Sequence, residues 1–197
     1  MRASDSKLGA ATTRALLLAV TAALVTPACS AGRYRQASCR GLSKQSIFVL
    51  EAQAVPSATY VPCVLRLPKG WSYGGSDVRS GTAQFWLNSD RAGHHAAQVT
   101  LTRGCDVSGA ALANVPTPPG LVRYDEPSST PPLSTSYFVF RGGCITYRLS
   151  FTERSAPSIF RQADGMLGFT PRSVYVDDIR KRVGVSLCGA GAPPCPG

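Results

Sequence analysis

The sequence contains few of the side chains that carry most enzymatic chemistry. It has only two histidines among 197 residues, and only 11 aspartate and glutamate residues. His94 and His95 are neighbours in a predicted turn, where adjacent side chains point apart, so two ligands to one metal ion would need a third group from elsewhere. We therefore expect two solvated loop histidines and no metal site.

The carboxylates form no recognisable catalytic pattern. There is no His-Glu-x-x-His zinc motif, and no spacing selects a glycosidase-type pair. The acidic residues are scattered among predicted turns and element ends, where such side chains cap and solubilise. They include Asp77, Asp90, Asp106, Asp125, Glu126, Glu153 and Asp164. The sequence thus indicates no catalytic residue and no cofactor, and it favours a protein that is not an enzyme.

No apolar run is long enough to cross a membrane. The run 15–25 has eleven residues, whereas a spanning helix needs about 20. Basic residues precede this run, and small residues follow it, which is typical of an export signal. We predict a signal peptide over residues 1–28, with cleavage after Ala28.

Cys29 follows that cleavage point directly. The segment Val25-Thr26-Pro27-Ala28-Cys29 resembles the end of a bacterial lipoprotein signal, although Thr26 and Pro27 stand where an aliphatic and a small residue are usual. Lipidation of Cys29 would hold the chain on the outer face of the cytoplasmic membrane. The alternative is plain secretion, with a cysteine that happens to follow the cleavage site.

The other six cysteines form an even set, and the sequence has no Cys-x-x-Cys pair of the kind used in zinc knuckles and thioredoxin-type redox sites. In an oxidising compartment we expect three disulfides. Predicted strand ends favour Cys105 with Cys144, while Cys39 with Cys63 and Cys188 with Cys195 are the local choices. The sequence alone does not decide between the pairings.

The exported part of the chain is basic. Without residues 1–28, which hold three basic residues and one acidic residue, 18 Lys and Arg stand against 10 Asp and Glu, a net charge of +8. Such a charge attracts anionic envelope polymers or lipid headgroups. The scarcity of lysine beside abundant arginine, alanine, glycine and proline is also what a GC-rich genome produces without a specific partner. Export argues against nucleic acid.

The chain after the signal predicts one domain of the α+β class. We expect a basic tether over 29–38 and a single extracytoplasmic domain over 39–197. Strict alternation predicts a hairpin from 82–87 and 97–102, and further strands are expected at 59–67, 137–141 and 144–151. A start signal at Ser43 and a stop at Pro56 predict a helix over 42–54, although β-branched Ile47 and Val49 leave a strand possible there. Further helices are predicted over 158–167 and from about 171 to 183. The result would be an antiparallel sheet packed with C-terminal helices and stapled by disulfides.

One predicted loop carries exposed-looking aromatic and basic residues. Lys69, Trp71 and Tyr73 lie within the segment 69–75, and the two aromatic rings could stack on a sugar. These three are the candidate ligand-binding residues. The alternative is that Trp71 folds back into the core, which the usual burial of large aromatic residues favours.

Several segments of the chain carry a family resemblance. They are Val55-Pro-Ser-Ala-Thr-Tyr-Val-Pro-Cys63, Leu67-Pro-Lys-Gly-Trp71, Phe85-Trp-Leu-Asn-Ser-Asp-Arg91, Gly104-Cys105-Asp106 and Gly142-Gly143-Cys144. Through these the chain resembles uncharacterised exported proteins and lipoproteins of GC-rich Gram-positive bacteria, of the actinobacterial type. The resemblance implies an envelope location and a cysteine-stapled domain, and it implies no activity, substrate or catalytic residue.

Three functions fit these observations. We expect an exported, lipid-anchored binding or accessory module of the cell envelope. The alternatives are an envelope hydrolase with an unrecognised active site and a soluble secreted protein with a structural or assembly role.

Overall fold

The computed structural model describes residues 46–127, 133–151 and 156–196, with the backbone alone for 46–48, 156 and 157. The predicted signal peptide, Cys29, the tether and Cys39 lie outside the described residues. The described residues all belong to one structural unit. Among them, no helix has the length and apolar character to span a membrane.

Alternating apolar and polar residues build the main sheet. Every second residue of β3 is buried, so one face of each strand meets the core and the other meets solvent. The strands are β2 (Trp71–Arg79), β3 (Thr82–Ser89), β4 (Gly93–Thr102), β5 (Ala111–Leu112), β6 (Leu121–Asp125), β7 (Leu133–Phe140) and β8 (Gly143–Ser150). All neighbours are antiparallel, in the order β2-β3-β4-β8-β7-β6-β5.

Helices and a two-stranded ribbon pack against this sheet. The helices are α1 (Ser46–Ala54), α2 (Ala156–Asp164) and α3 (Arg172–Val183), and the ribbon pairs β1 (Tyr60–Val64) with β9 (Leu167–Pro171). The main core joins sheet residues such as Phe85 and Ile145 to Ile159 and Met166, on and just after α2. A second cluster places Ile179 of α3 against Val61. The predicted α+β fold, an antiparallel sheet with C-terminal helices, is confirmed.

The predicted hairpin is present, and the predicted strands on either side of Gly142 form a second one. β3 and β4 pair as the alternation predicted, and Arg141 and Gly142 form the tight turn between Phe140, the end of β7, and Gly143, the start of β8. Gly142 supplies the positive φ of +76° that this turn requires. Because β4 also pairs with β8, the turn at Gly142 and Gly143 lies beside the end of β4.

The predicted disulfides are confirmed for two pairs of cysteines. Cys105 bonds to Cys144 across a separation of 39 residues, and Cys188 bonds to Cys195 across 7. Cys63 is also disulfide-bonded. The other cysteine of the predicted Cys39–Cys63 pair lies outside the described residues. These bonds indicate an oxidising environment.

β2 and β6 occupy segments that the sequence did not assign to a sheet, as do the short β5 and β9. Residues 69–75 were predicted as a loop, but β2 begins at Trp71 and forms an edge of the sheet. β6 lies within the proline- and serine-rich stretch 116–136. Both strands have weak alternation, because glycines interrupt β2 and charged residues occupy β6, so the sheet pairing rather than local pattern determines them.

The C-terminal third differs from the prediction in its boundaries. The helix expected to reach residue 167 ends at Asp164, and Gly168 is a residue of β9. A side chain at position 168 would collide with Leu65, so glycine permits the close pairing of β1 with β9. α3 begins at Arg172, with Pro171 as its N-cap. Its buried residues include Tyr175 and Ile179, whereas Val183 at its end is exposed.

Candidate functional site

The predicted aromatic site is not assembled. Trp71 is buried, and its indole N–H donates to the Oε1 of Gln162 at 3.3 Å. Its ring therefore cannot stack on a ligand, and the assignment of Trp71 as a binding residue is wrong because β2 turns this residue toward the core. Lys69 and Tyr73 are exposed at the surface. For these two residues binding stays a prediction.

The two histidines lie at the exposed start of β4. The backbone N–H of His95 donates to the Oδ1 of Asn88 at 2.9 Å, and its ring lies 4.9 Å from that of Trp86. Among the described residues, no group of three His, Cys, Asp or Glu side chains could hold a metal ion.

Ser72 lies in a motif that the sequence interpretation missed. Gly70-Trp71-Ser72-Tyr73-Gly74 has the Gly-x-Ser-x-Gly spacing of a nucleophile elbow, which needs a sharp turn from a strand into a helix. Here Ser72 lies inside β2 and pairs with Asn88 of β3. Within the described part of the chain, no hydrogen bond joins Ser72 to a histidine. The motif therefore lacks the structural context of an elbow.

A cleft of about 370 Å³ opens between the inner face of the sheet and the segment that joins α2 to β9. We call it the apolar cleft. Its walls are mostly hydrocarbon and include Leu65, Val115, Pro116, Phe138, Leu167 and Phe169. The rings of Phe138 and Phe169 pack with centroids 4.6 Å apart. A concave apolar surface with a few polar groups is the usual form of a small-molecule site.

The proline loop that borders the apolar cleft is held in place by hydrogen bonds. The Thr117 hydroxyl donates to the Leu121 carbonyl at 2.6 Å, and the Leu121 N–H donates to the Pro118 carbonyl at 3.1 Å. The Tyr60 hydroxyl donates to the Pro119 carbonyl at 2.8 Å. The cleft is therefore preformed, and a ligand would not have to order this loop.

Arg123 places a fixed polar cluster in the wall of the cleft. Its Nε donates to Asp125 at 2.7 Å, its Nη1 to Asp164 at 3.1 Å and its Nη2 to the Ser136 hydroxyl at 3.2 Å. Its guanidinium also lies over the Phe138 ring, 5.4 Å from the centroid. Burial of the guanidinium acts to lower the pKa of Arg123, but the two carboxylates have the larger combined effect and raise this pKa above its usual value. The cluster therefore contains one cation and two carboxylates.

Asp164 is the carboxylate of this cluster that lines the cleft. Its side chain is 49% exposed, against 14% for Arg123. The neighbouring Tyr147 is buried, and its hydroxyl donates to the Ala163 carbonyl at 2.8 Å, which fixes the end of α2. Burial raises the pKa of Tyr147 above its ordinary value, so this hydroxyl stays protonated. A ligand in the cleft would meet Asp164 as a hydrogen-bond acceptor that already accepts from Arg123 through its Oδ1.

The sequence interpretation treated Asp125 and Asp164 as isolated surface residues. Arg123 and Asp125 are two residues apart on a strand, and such a spacing places both side chains on one face. This two-residue spacing indicates a shared face only when the segment is known to be a strand, which the sequence did not predict for β6. Asp164 joins the cluster because α2 packs against the sheet. No local sequence pattern predicts this packing.

Comparison with known proteins gives no assignment: no family model matches the chain, and no curated protein and no solved structure matches it.

Proposed function

We propose that this chain is an exported binding module whose ligand site is the apolar cleft. A single observation supports this most directly: a preformed apolar cavity of about 370 Å³ with a fixed polar cluster in its wall. The volume falls within the range of small-molecule sites, about 300–1,000 Å³.

The charges of the cleft favour a ligand with a hydrogen-bond donor at its polar end. Two carboxylates, Asp125 and Asp164, share one guanidinium, so the cluster has an excess of acceptors. The rest of the exported chain is basic, with a net charge of +8 as 18 minus 10. An apolar molecule with an amine or hydroxyl end complements this cleft better than a fatty acid, because a carboxylate would be repelled by Asp164.

We also propose that the module works at the cell envelope. The disulfides indicate an oxidising compartment, and the segment before Cys29 has the layout of an export signal. A lipid on Cys29 would keep the module at the outer face of the cytoplasmic membrane, close to sources of amphipathic molecules. The resemblance to exported actinobacterial proteins supports the same location.

Nile red, a neutral apolar dye that fluoresces when it leaves water, tests the cleft. Val115 lies on its border and is 45% exposed, so Val115→Trp would fill the cleft without disturbing the core. We expect the variant to bind Nile red at least about tenfold more weakly, because the apolar contact area is lost. Val174→Trp is the matched control, since Val174 is 58% exposed on α3.

Displacement of Nile red tests the polar end of the ligand. Dodecylamine should displace the dye at lower concentration than dodecanoate, and Asp164→Asn should reduce this difference. Equal loss of dye binding in the Val115 and Val174 variants would contradict the cleft as the site. A preference for dodecanoate would contradict the donor-ended ligand while leaving the cleft itself in place.

A further inference from the structure

The solvent face of the main sheet carries a band of polar side chains across its centre. In β3, β4 and β8, buried core residues alternate with residues whose side chains lie on the opposite face. We call five of the latter the polar sheet face: Gln84, Trp86, Gln98, Thr100 and Arg148. Arg148 is exposed, and the other four are partly exposed. This face is therefore accessible to a partner.

Strand pairing places these five residues in two rows that cross the strands. Trp86 on β3 pairs with Gln98 on β4, and Gln98 pairs with Arg148 on β8. In the next row, Gln84 on β3 pairs with Thr100 on β4. Because neighbouring strands are about 4.8 Å apart, the backbones at Trp86 and Arg148 are separated by about 10 Å. An aromatic ring, two amides and a guanidinium thus lie next to one another.

The Trp86 ring is held against two glycines of the edge strand β2. A Cβ at Gly75 would lie 3.2–3.3 Å from three atoms of the indole, and a Cβ at Gly74 would lie 2.6 Å from its Cδ1. Glycine at both positions therefore leaves room for the ring. The His95 ring borders it, with centroids 4.9 Å apart. A positioned and partly exposed indole is a surface on which a sugar ring can stack.

Amide groups that can bind sugar hydroxyls flank this ring. The Thr100 hydroxyl donates to the Oε1 of Gln84 at 3.4 Å, which orients the Gln84 amide and leaves its N–H groups for a ligand. Among the described residues, the Gln98 side chain forms no hydrogen bond. An amide both donates and accepts, as does a sugar hydroxyl, so the two groups are complementary.

Arg148 gives this part of the sheet an excess of positive charge. No carboxylate of the described residues forms an ion pair with it. Asp77, on β2, is already paired with Arg79 at 3.0 Å. Glu126 follows β6 and accepts from the Tyr137 hydroxyl at 3.4 Å, on the other side of β8 from Trp86. The region from β3 to β8 is therefore complementary to an anion.

We propose that the polar sheet face binds a polysaccharide that carries carboxylate groups. One sugar ring stacks on Trp86, its hydroxyls bond to the amides of Gln84 and Gln98, and a carboxylate of the polymer pairs with Arg148. The net positive charge of the exported chain attracts the same polymer from a distance. The site lies on the opposite side of the sheet from the apolar cleft and does not depend on it.

Trp86 reports on this site directly, because the chain has only two tryptophans and Trp71 is buried. We expect carboxymethyl cellulose and polygalacturonate to bind the exported chain saturably by calorimetry and to protect its fluorescence from quenching by acrylamide. Arg148→Gln should weaken binding about tenfold, the effect of losing one charge-assisted pair. Trp86→Ala should weaken it at least about tenfold, and Trp86→Tyr, which keeps an aromatic ring, should restore most of it.

Arg141→Gln is the matched control, because it removes the same charge from an exposed position in the β7–β8 turn and should leave binding unchanged. Far-UV circular dichroism checks folding, and Arg148→Gln decides the outcome if Trp86→Ala does not fold.

Two further polymers separate sugar recognition from charge alone. Hydroxyethyl cellulose has the same backbone as carboxymethyl cellulose without its carboxylates, and it should bind at least about tenfold more weakly. Polyglutamate has carboxylates without sugar rings and should not protect Trp86. The proposal is overturned if neither carboxylated polysaccharide binds, if the two celluloses bind equally, if polyglutamate protects Trp86, or if Arg148→Gln and Arg141→Gln weaken binding equally.

Discussion

Glu51 shows how a single buried residue makes stability depend on pH. Both of its carboxyl oxygens are buried without a hydrogen-bond partner among the described residues. Burial raises its pKa from 4.5 to about 8, so the folded chain keeps the proton at neutral pH. The ionisable groups that sense its charge include the hydroxyls of Tyr73 and Tyr175. Glu51 is therefore a buried, protonated carboxylic acid in the native protein at neutral pH.

The free energy of unfolding should fall as pH rises between about 4.5 and 8. Across that window the unfolded chain loses a proton that the folded chain retains, which costs up to about 1.4 kcal/mol per pH unit. Glu51→Gln removes this titration, so the variant should show a flatter pH dependence and should be more stable than the parent at pH 8. Urea unfolding at pH 5, 6, 7 and 8 measures both slopes. Parallel slopes for parent and variant would show that Glu51 is already ionised in the folded chain, which would contradict its raised pKa.

At the scale of elements, the β7–β8 turn connects the sheet to the segment after α1. Gly142 has a φ of +76°, and a Cβ at this position would collide with the carbonyl oxygen of Ser57. The Ser57 hydroxyl also donates to the Gly142 carbonyl at 2.7 Å. The turn is thus constrained both by its backbone conformation and by its neighbour.

A substitution at Gly81 measures the backbone constraint alone, because the φ of Gly81 is +85° and a Cβ there would meet nothing within 4 Å. Gly81→Ala should cost about 1–2 kcal/mol, the effect of the left-handed conformation alone. Gly142→Ala should cost about 1 kcal/mol more than that, since the turn must also move away from Ser57. Thermal or urea unfolding of the two variants measures the difference. Equal losses would contradict a close approach of the turn to Ser57.

At the scale of the whole molecule, the proposed lipid on Cys29 would hold the domain and its apolar cleft at the outer face of the cytoplasmic membrane. Cells grown with an alkyne fatty acid should label this chain, and Cys29→Ala should remove the label. The disulfides of the domain should be unaffected, because the six other cysteines already form an even set. A label that survives Cys29→Ala, or no label at all in the parent, would contradict lipidation.

The fold class could be predicted from the sequence because, in the largest elements, the local sequence pattern agrees with the burial that the whole fold imposes. The alternation in β3 and the helical spacing around Ile159 identify elements whose buried face is continuous. The segments of β2, β6 and β9 have no such pattern. β9 pairs with β1 far along the chain, whereas β2 and β6 pair with the strands that follow them, β3 and β7. In all three the pairing, and not the local pattern, reveals the strand.

The residues of the proposed site were harder to predict from the sequence, for the same reason. Trp71 is exposed-looking in a predicted loop, but pairing of β2 with β3 turns it inward. Arg123 and Asp164 are 41 residues apart and meet only when α2 packs on the sheet. Trp86 and Arg148 share one row of the sheet only because β4 pairs with both β3 and β8.

The sequence by itself determined the charge, the cysteine parity and the alternation of the central strands, because these depend on composition and on short-range periodicity. The strand order, the apolar cleft, the polar sheet face and the environments of Glu51 and Arg123 were decided only by the tertiary structure. The physical reason is that burial and charge pairing depend on contacts between distant segments, which short-range patterns do not encode.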